Sequence, residues 1–323
     1  MKLRQSLIGS LVILSSVTTV ATAQYFPTPD SFLQPGGCSN CDENGGRWGN
    51  RNWQGVNWSG RELRQANLEG ANLAMADLSR AQIFGSTLKD ANLTGANLTG
   101  ATIRSTVLQG AVLNGTIFKN AELFMISLEN GQMENADFSG AQMKNIYLGG
   151  ANLQGANLIG ADLQNAFMVG ANLIHADLSA ADLRGVKLRN SILISANLQK
   201  ADMRAVSLAE ANLSESRLSG ANLERAELAK ANLENADLSG ANLKNANLER
   251  ANLRGANLKD AILDNIFEMG ADFCGATLPD GQIEECPEEE VQAPIPNEEI
   301  FIDPTLNEEN LDINNKDTSP SAP

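Results

Sequence analysis

Histidine occurs once in this chain of 323 residues, at position 175, and aromatic side chains make up only 5%. A single histidine rules out a multi-histidine metal centre and leaves little for imidazole-based proton transfer. Cations are also scarce, with 24 Lys and Arg against 39 Asp and Glu, a formal net charge of −15. That balance works against nonspecific nucleic-acid binding, which rests on phosphate neutralisation. Neither a glycine-rich phosphate loop nor a nucleophile elbow is present. No catalytic residue, cofactor site or metal site is therefore expected, and His175 reads as a surface residue.

Long apolar runs are confined to the N-terminus. Lys2 and Arg4 precede an apolar stretch from Leu7 to Val20, followed by small residues at Ala21-Thr22-Ala23. This is the layout of a cleaved export signal spanning 1–23, with the mature chain starting at Gln24 and no stable membrane span remaining. The expected location is the periplasm, a thylakoid lumen or the extracellular space. Only four cysteines occur, as two local pairs at opposite ends: Cys38 with Cys41, and Cys274 with Cys286. In an oxidising compartment such pairs read as two local disulfides, because zinc would need all four ligands to converge.

Composition divides the remainder. Residues 24–45 are rich in Pro, Gly and Asn and read as an N-terminal cap or linker that carries Cys38 and Cys41. Residues 280–323 hold thirteen acidic residues against Lys316 alone, a net of −12. This acidic C-terminal tail is expected to be largely disordered.

Between these segments the chain repeats. Ala66-Asn-Leu-Glu-Gly is followed by Ala71-Asn-Leu-Ala-Met and Ala76-Asp-Leu-Ser-Arg, and every fifth residue from Trp48 to Leu278 is large and apolar except Glu268. On an α-helix five residues advance about 500°, so these side chains would spiral around the axis. On a straight strand an odd spacing would alternate faces. All of them can point inward only if the backbone turns a corner once per unit, and the flanking Asn, Asp and Gly suit corners. The small residue two positions earlier is Ala at 32 of the 43 places from 66 to 276. Seven of the eleven exceptions (Ser86, Thr106, Ile126, Ile146, Val186, Val206, Ile266) share one phase modulo 20. Residues 20 apart are therefore stacked neighbours, and four units complete one coil.

These A(N/D)LxG units, quoted from residue 66 onward, resemble the pentapeptide-repeat proteins over roughly residues 46–279. The resemblance implies an all-β fold, a right-handed quadrilateral β-helix of about twelve coils. The export signal and terminal cysteine pairs are similar to those of exported cyanobacterial members. Some members of the family mimic DNA and bind gyrase, a role that needs a cytosolic location and an acidic solenoid. Here the acidity lies in the tail.

Trp48, Trp53 and Trp58 occupy the inward phase of the first coil. They read as a core cap covering the N-terminal end of the solenoid, the rival reading being an exposed sugar platform. At the other end, Glu268 in the inward phase means either that the last layer is open to water or that a bulge turns Phe267 or Met269 inward. The loop between Cys274 and Cys286, with Leu278 and Ile283, is expected to close that end.

Two outward features break the polar neutrality of the surface. A basic stripe runs through Arg64, Arg104, Lys144, Arg184, Arg204 and Lys244, one coil or more apart in a single column. The acidic tail is expected to reach this stripe and shield it weakly. Tyr147, Phe167, Val169, Ile174, Ile192 and Ile194 form an apolar patch on two consecutive sides, which marks an interaction site unless a bulge buries some of them. The reading is a non-enzymatic exported solenoid, a rigid scaffold for an unidentified protein partner in the cell envelope. A polysaccharide-binding or polysaccharide-cleaving envelope protein is the alternative.

Overall fold

The computed structural model describes residues 48–286. Among them the regular elements are four short strands, β1 (Glu62–Arg64), β2 (Gln82–Phe84), β3 (Thr102–Arg104) and β4 (Glu122–Phe124), paired in parallel in the order β1-β2-β3-β4. The register is one coil: Leu63 pairs with Ile83, and Ile83 with Ile103. Elsewhere each side contributes single parallel bridges at the same 20-residue spacing, such as Asn52 with Asn72 and Asn57 with Asp77. The architecture is a four-sided β-helix.

The corners explain the repeat. Every fifth residue from Asn50 to Gly275 has positive φ. Where Gly is absent, Asn is frequent there, the residue that best tolerates the left-handed region after Gly. The following Ala N–H closes the turn, as where Ala71 N–H donates to the Leu68 carbonyl at 3.0 Å. A bonded four-residue turn with positive φ at its third position is of type II character. Where Asn stands before the Leu, it adds two further bonds. Its side-chain oxygen accepts the N–H two residues on, as Asn72 does from Ala74 at 3.2 Å, and its amide reaches one coil back, as Asn72 to Asn52 at 2.8 Å. Asn and Asp dominate this position because a short side chain serves both corner and ladder.

One corner is built differently, and it is the one that carries most of the exceptions to Ala. After β1 to β4 the closing turn bond does not form; instead Ala66 N–H donates to Ser86 Oγ at 3.1 Å. Thr106 Oγ1 donates to the Arg104 carbonyl at 3.0 Å. In these first coils the irregular phase marks a corner where the backbone stays extended one residue longer, with Ser86 and Thr106 hydroxyls taking over part of the bonding; further along, Val186 and Val206 close the ordinary turn.

Inside, the Leu column is almost wholly buried from Leu63 to Leu258, with the Ala positions buried beside it. Phe118 and Phe138 stack one above the other at 4.7 Å. The three tryptophans sit together at the N-terminal end of the described residues. Trp48 and Trp58 are buried and Trp53 is half-buried, their ring centroids 5.2–5.7 Å apart. Trp48 and Trp58 are thus withdrawn from solvent, which leaves little ring face for a sugar.

The C-terminal end departs from expectation. The disulfide between Cys274 and Cys286 is present, and the loop it closes folds back, with an antiparallel bridge between Thr277 and Ile283. Ile283, however, is 69% exposed and covers nothing. No bulge rescues the layer of Glu268: Phe267 and Met269 point out, at 49% and 59% exposed, and Glu268 itself is exposed. A cavity lined by Leu263, Glu268, Ala271, Phe273, Leu278 and Glu284 is left at this end. Turning either neighbour inward would break the coil-to-coil bonding, since Phe267 N–H donates to Ala246 and its carbonyl accepts from Leu248.

Of the two disulfides expected from the sequence, the structure thus describes one. The other expectation, a bond between Cys38 and Cys41, lies outside the described residues, because both Cys38 and Cys41 precede Trp48. The signal segment and the tail beyond Cys286 lie outside them as well.

Candidate interaction surface

The apolar patch lies where the sequence places it. Tyr147 and Phe167 are bridged neighbours in one column, 47% and 43% exposed, with Val169 beside them at 45%. Their rings stack at 5.1 Å with planes 10° apart. The stacking follows from parallel pairing, which sets successive coils about 4.8 Å apart. It also fixes what the surface presents: each ring covers its neighbour's face, so ring edges point outward. Ile192 is exposed on the next side, while Ile174 and Ile194 are half-buried there. The six residues thus divide into an exposed group on one side and a partly sheltered group around the corner. No bulge intervenes, because both sides keep the 20-residue bridges.

Two residues extend this surface beyond the expected set. Val107 stands in the column of Tyr147 and Phe167, 42% exposed, and Met125 stands on the adjoining corner, 80% exposed. A shallow groove runs between them, floored by Ser127 and ending at Tyr147. The 20-residue spacing alone identifies Val107. Met125 is legible as an apolar residue at a corner position normally held by Gly or Asn.

The basic stripe is also one column, but it is not a bare cationic track. Arg184 is clamped by Asp182 through Nε at 2.8 Å and Nη2 at 2.6 Å, and Arg204 by Asp202 with the same two distances. Lys144 reaches Asp162 at 3.1 Å, Arg104 reaches Glu122 at 3.2 Å, and Arg64 pairs with Glu62. Arg64 and Arg104 also lie over Phe84 and Phe124, at 5.0 and 4.9 Å. Lys244 makes no ion pair among the described residues. The Arg184 side chain bonding to Asp182 holds that carboxyl below its ordinary value, against the opposing effect of partial burial, and Arg204 does the same for Asp202. The sequence signal for this neutralisation is the acid two residues before Arg64, Arg184 and Arg204, as in Asp182-Leu-Arg184, since those two side chains share a face; Arg104 instead follows Thr102 and reaches Glu122 in the next coil. The acidic tail beyond Cys286, expected to shield the stripe, lies outside the described residues.

His175 sits at a corner, exposed, with φ of 58°, and its N–H donates to the Ile194 carbonyl at 3.1 Å. Among the described residues no three His, Cys, Asp or Glu side chains stand close enough to hold a metal ion.

Family profiles match the chain in overlapping stretches. The profile described as "Pentapeptide repeats" matches 151–190, 171–208, 207–245 and 231–267, and that described as "Pentapeptide repeat region" matches 81–158. Among solved structures the chain is similar to HetL, a pentapeptide repeat protein involved in heterocyst differentiation regulation from the cyanobacterium Nostoc sp. strain PCC 7120. The identity is 32%, covering 74% of this chain and 94% of that one, with a TM-score of 0.36. Rfr23 from the cyanobacterium Cyanothece 51142 is 31% identical over 39% of this chain and 86% of its own, TM-score 0.22. A trypsin-treated form of QnrB1, a plasmid-mediated fluoroquinolone resistance protein, is 19% identical over 65% and 92%, TM-score 0.36. No curated protein matches the chain.

Proposed function

Because the chain belongs to the pentapeptide-repeat family, we propose that it is a non-enzymatic scaffold that presents a rigid face to a protein partner. The observation that carries this reading is the exposed column of Tyr147 and Phe167 with Val169 beside it, held by backbone bonds on a regular side. Contiguous exposed apolar surface marks interaction sites, and aromatic anchors dominate protein interfaces. Each ring takes up one face of the other, which leaves less ring face for a sugar to stack on. The backbone there is already fixed by bonds to both neighbouring coils, so binding costs little ordering entropy.

We further propose that the scaffold works outside the cytoplasm, in a periplasm, thylakoid lumen or extracellular space. The signal-like start supports this, and so does the bond between Cys274 and Cys286, since disulfides belong to oxidising compartments.

The test is site-specific photo-crosslinking from position 167 in native envelope fractions, followed by reconstitution with the purified cross-linked protein. Tyr147→Ser with Phe167→Ser should weaken the reconstituted complex at least about tenfold, the loss of two aromatic anchors, with an unchanged far-UV spectrum. An unchanged affinity would remove the face as the binding site. A mature protein found in the cytoplasm with residues 1–23 retained would overturn the location.

A further inference from the structure

The side that carries Tyr147 and Phe167 has a property that its apolar character alone does not require: its pattern is complementary to itself. We infer that this face docks a second copy of the chain, antiparallel, about a twofold axis crossing the face between the coils of Tyr147 and Phe167. The inference rests on the protein-binding reading above and names the partner.

A twofold interface sets one patch against itself. With the axis running across the tube, each column meets its own column in reverse order of coils. Tyr147 then faces Phe167 of the second copy, so four ring edges meet at the centre. One column over, Val169, 45% exposed, faces the second copy's Gly149, which has no side chain. On the adjoining corner, Met125, 80% exposed, faces the second copy's Gly185, which is covered on one side by its own chain's Asn165.

Charges follow the same rule. Glu129 faces Arg189 of the second copy, and Asp90 faces Lys230. Each pair occurs twice in a dimer. Within the chain these ions are only loosely held: Arg189 stands 3.5 Å from Glu210, and Asp90 3.8 Å from Lys89, all well exposed. Lys89 and Lys187 face Ala229 and Ser127. The one like pair in these columns, Glu69 with Glu249, lies further from the axis than Glu129 with Arg189 and Asp90 with Lys230.

The alternative twofold axis, parallel to the tube, exchanges the two outward columns within each coil. It sets Lys187 against Arg189 of the second copy and gives up the facing of Tyr147 with Phe167 and of Val169 with Gly149. Like charges directly opposed disfavour it. The pattern therefore selects the antiparallel dimer. Its contact covers one narrow side over a few coils, which is small beside the areas of permanent dimers, so the association is weak and reversible.

Sedimentation equilibrium of the purified full chain, up to about 200 μM, reads such a weak contact. The expected result is a monomer–dimer equilibrium. Glu129→Arg or Arg189→Glu alone should raise the dissociation constant about tenfold, and the double variant should restore it, because the reversed pair re-forms. Orientation is read separately with Ser127→Cys combined with Lys187→Cys. These positions lie three coils apart in one chain, about 14 Å, beyond the reach of a disulfide within the chain. They meet across the antiparallel dimer, so mild oxidation should join two copies through these two positions. A chain that stays monomeric throughout, a double variant no better than the single ones, or no 127–187 cross-link would overturn the inference. Recovery of a different protein by the position-167 cross-linker, with the purified chain monomeric, would overturn the dimer and leave the scaffold reading standing.

Discussion

Leu158 is a place where the cost of a core change can be worked from the surrounding structure. Its side chain is fully buried, with Phe138 and Leu178 buried above and below it in the same column. Its N–H donates to the Asp177 carbonyl at 2.6 Å, and its own carbonyl accepts from Ala161 at 3.0 Å. The wall is thus bonded to the next coil and closed at the corner, and it cannot collapse inward to fill a void. Leu→Ala changes span about 2.7–5.0 kcal/mol, rising with the cavity that remains. A wall this constrained places Leu158→Ala in the upper part of that range, about 4 kcal/mol. Leu158→Asp costs more, because it buries a charge with no partner. Two probes separate the halves of the tube. Far-UV circular dichroism reports all coils, whereas every tryptophan lies between 48 and 58, so fluorescence reports only the first. Coils interact only with their neighbours, so a mid-tube defect should divide the unfolding. In urea, the Leu158→Asp dichroism should begin to fall before the fluorescence does, while the wild-type curves coincide. A Leu158→Ala cost below about 1 kcal/mol, with coincident curves, would refute the argument that the wall is rigid.

Replacing Cys274 and Cys286 with Ser should destabilise the last coil by about 3 kcal/mol, from loop closure over a 12-residue separation; hydrogen exchange should rise over residues 262–286 and not mid-tube. Asp182 and Asp202 have folded-state pKa values lowered below the ordinary 3.8, first by bonds from Arg184 and Arg204. Their stabilisation is therefore present above the unfolded value and lost as pH falls through the folded one. The urea midpoint should drop on acidification below that ordinary value, and Arg184→Gln with Arg204→Gln should make the drop smaller; an unaltered acid limb would contradict this. Replacing Trp48, Trp53 and Trp58 with Ala should expose the first Leu layer and promote end-to-end association, seen by light scattering, whereas a soluble triple variant of unchanged stability would remove the capping role.

Much of the fold was legible because it is periodic. A five-residue repeat of large inward residues excludes helix and straight strand, and the shared phase of Ser86, Thr106 and Ile126 reveals the coil length without any homologue. The burial of Trp58 and the column of Tyr147 and Phe167 follow from the same arithmetic. The neutralised stripe was less legible. Its arginines stand in one column, but their partners stand in the adjacent column, and the clamp of Asp182 on Arg184 is a matter of side-chain reach.

What the sequence determined by itself was which residues face inward and which stack, since both depend only on residue number modulo five and twenty. Tertiary structure decided what happens where the period fails. At Glu268 the sequence allowed either an open layer or a bulge, and the coil-to-coil bonds of Phe267 settled it in favour of the open layer. At the end, the loop between Cys274 and Cys286 turned back and left Ile283 in solvent, because a terminal loop has no next coil to hold it in register. Exposure was decided there too: Ile174 and Ile194 have the outward phase, yet packing around the corner half-buries them while Phe167 stays open. Periodicity assigns a direction to each side chain; how much water reaches it depends on the bulk of its neighbours, which only the assembled coils bring together.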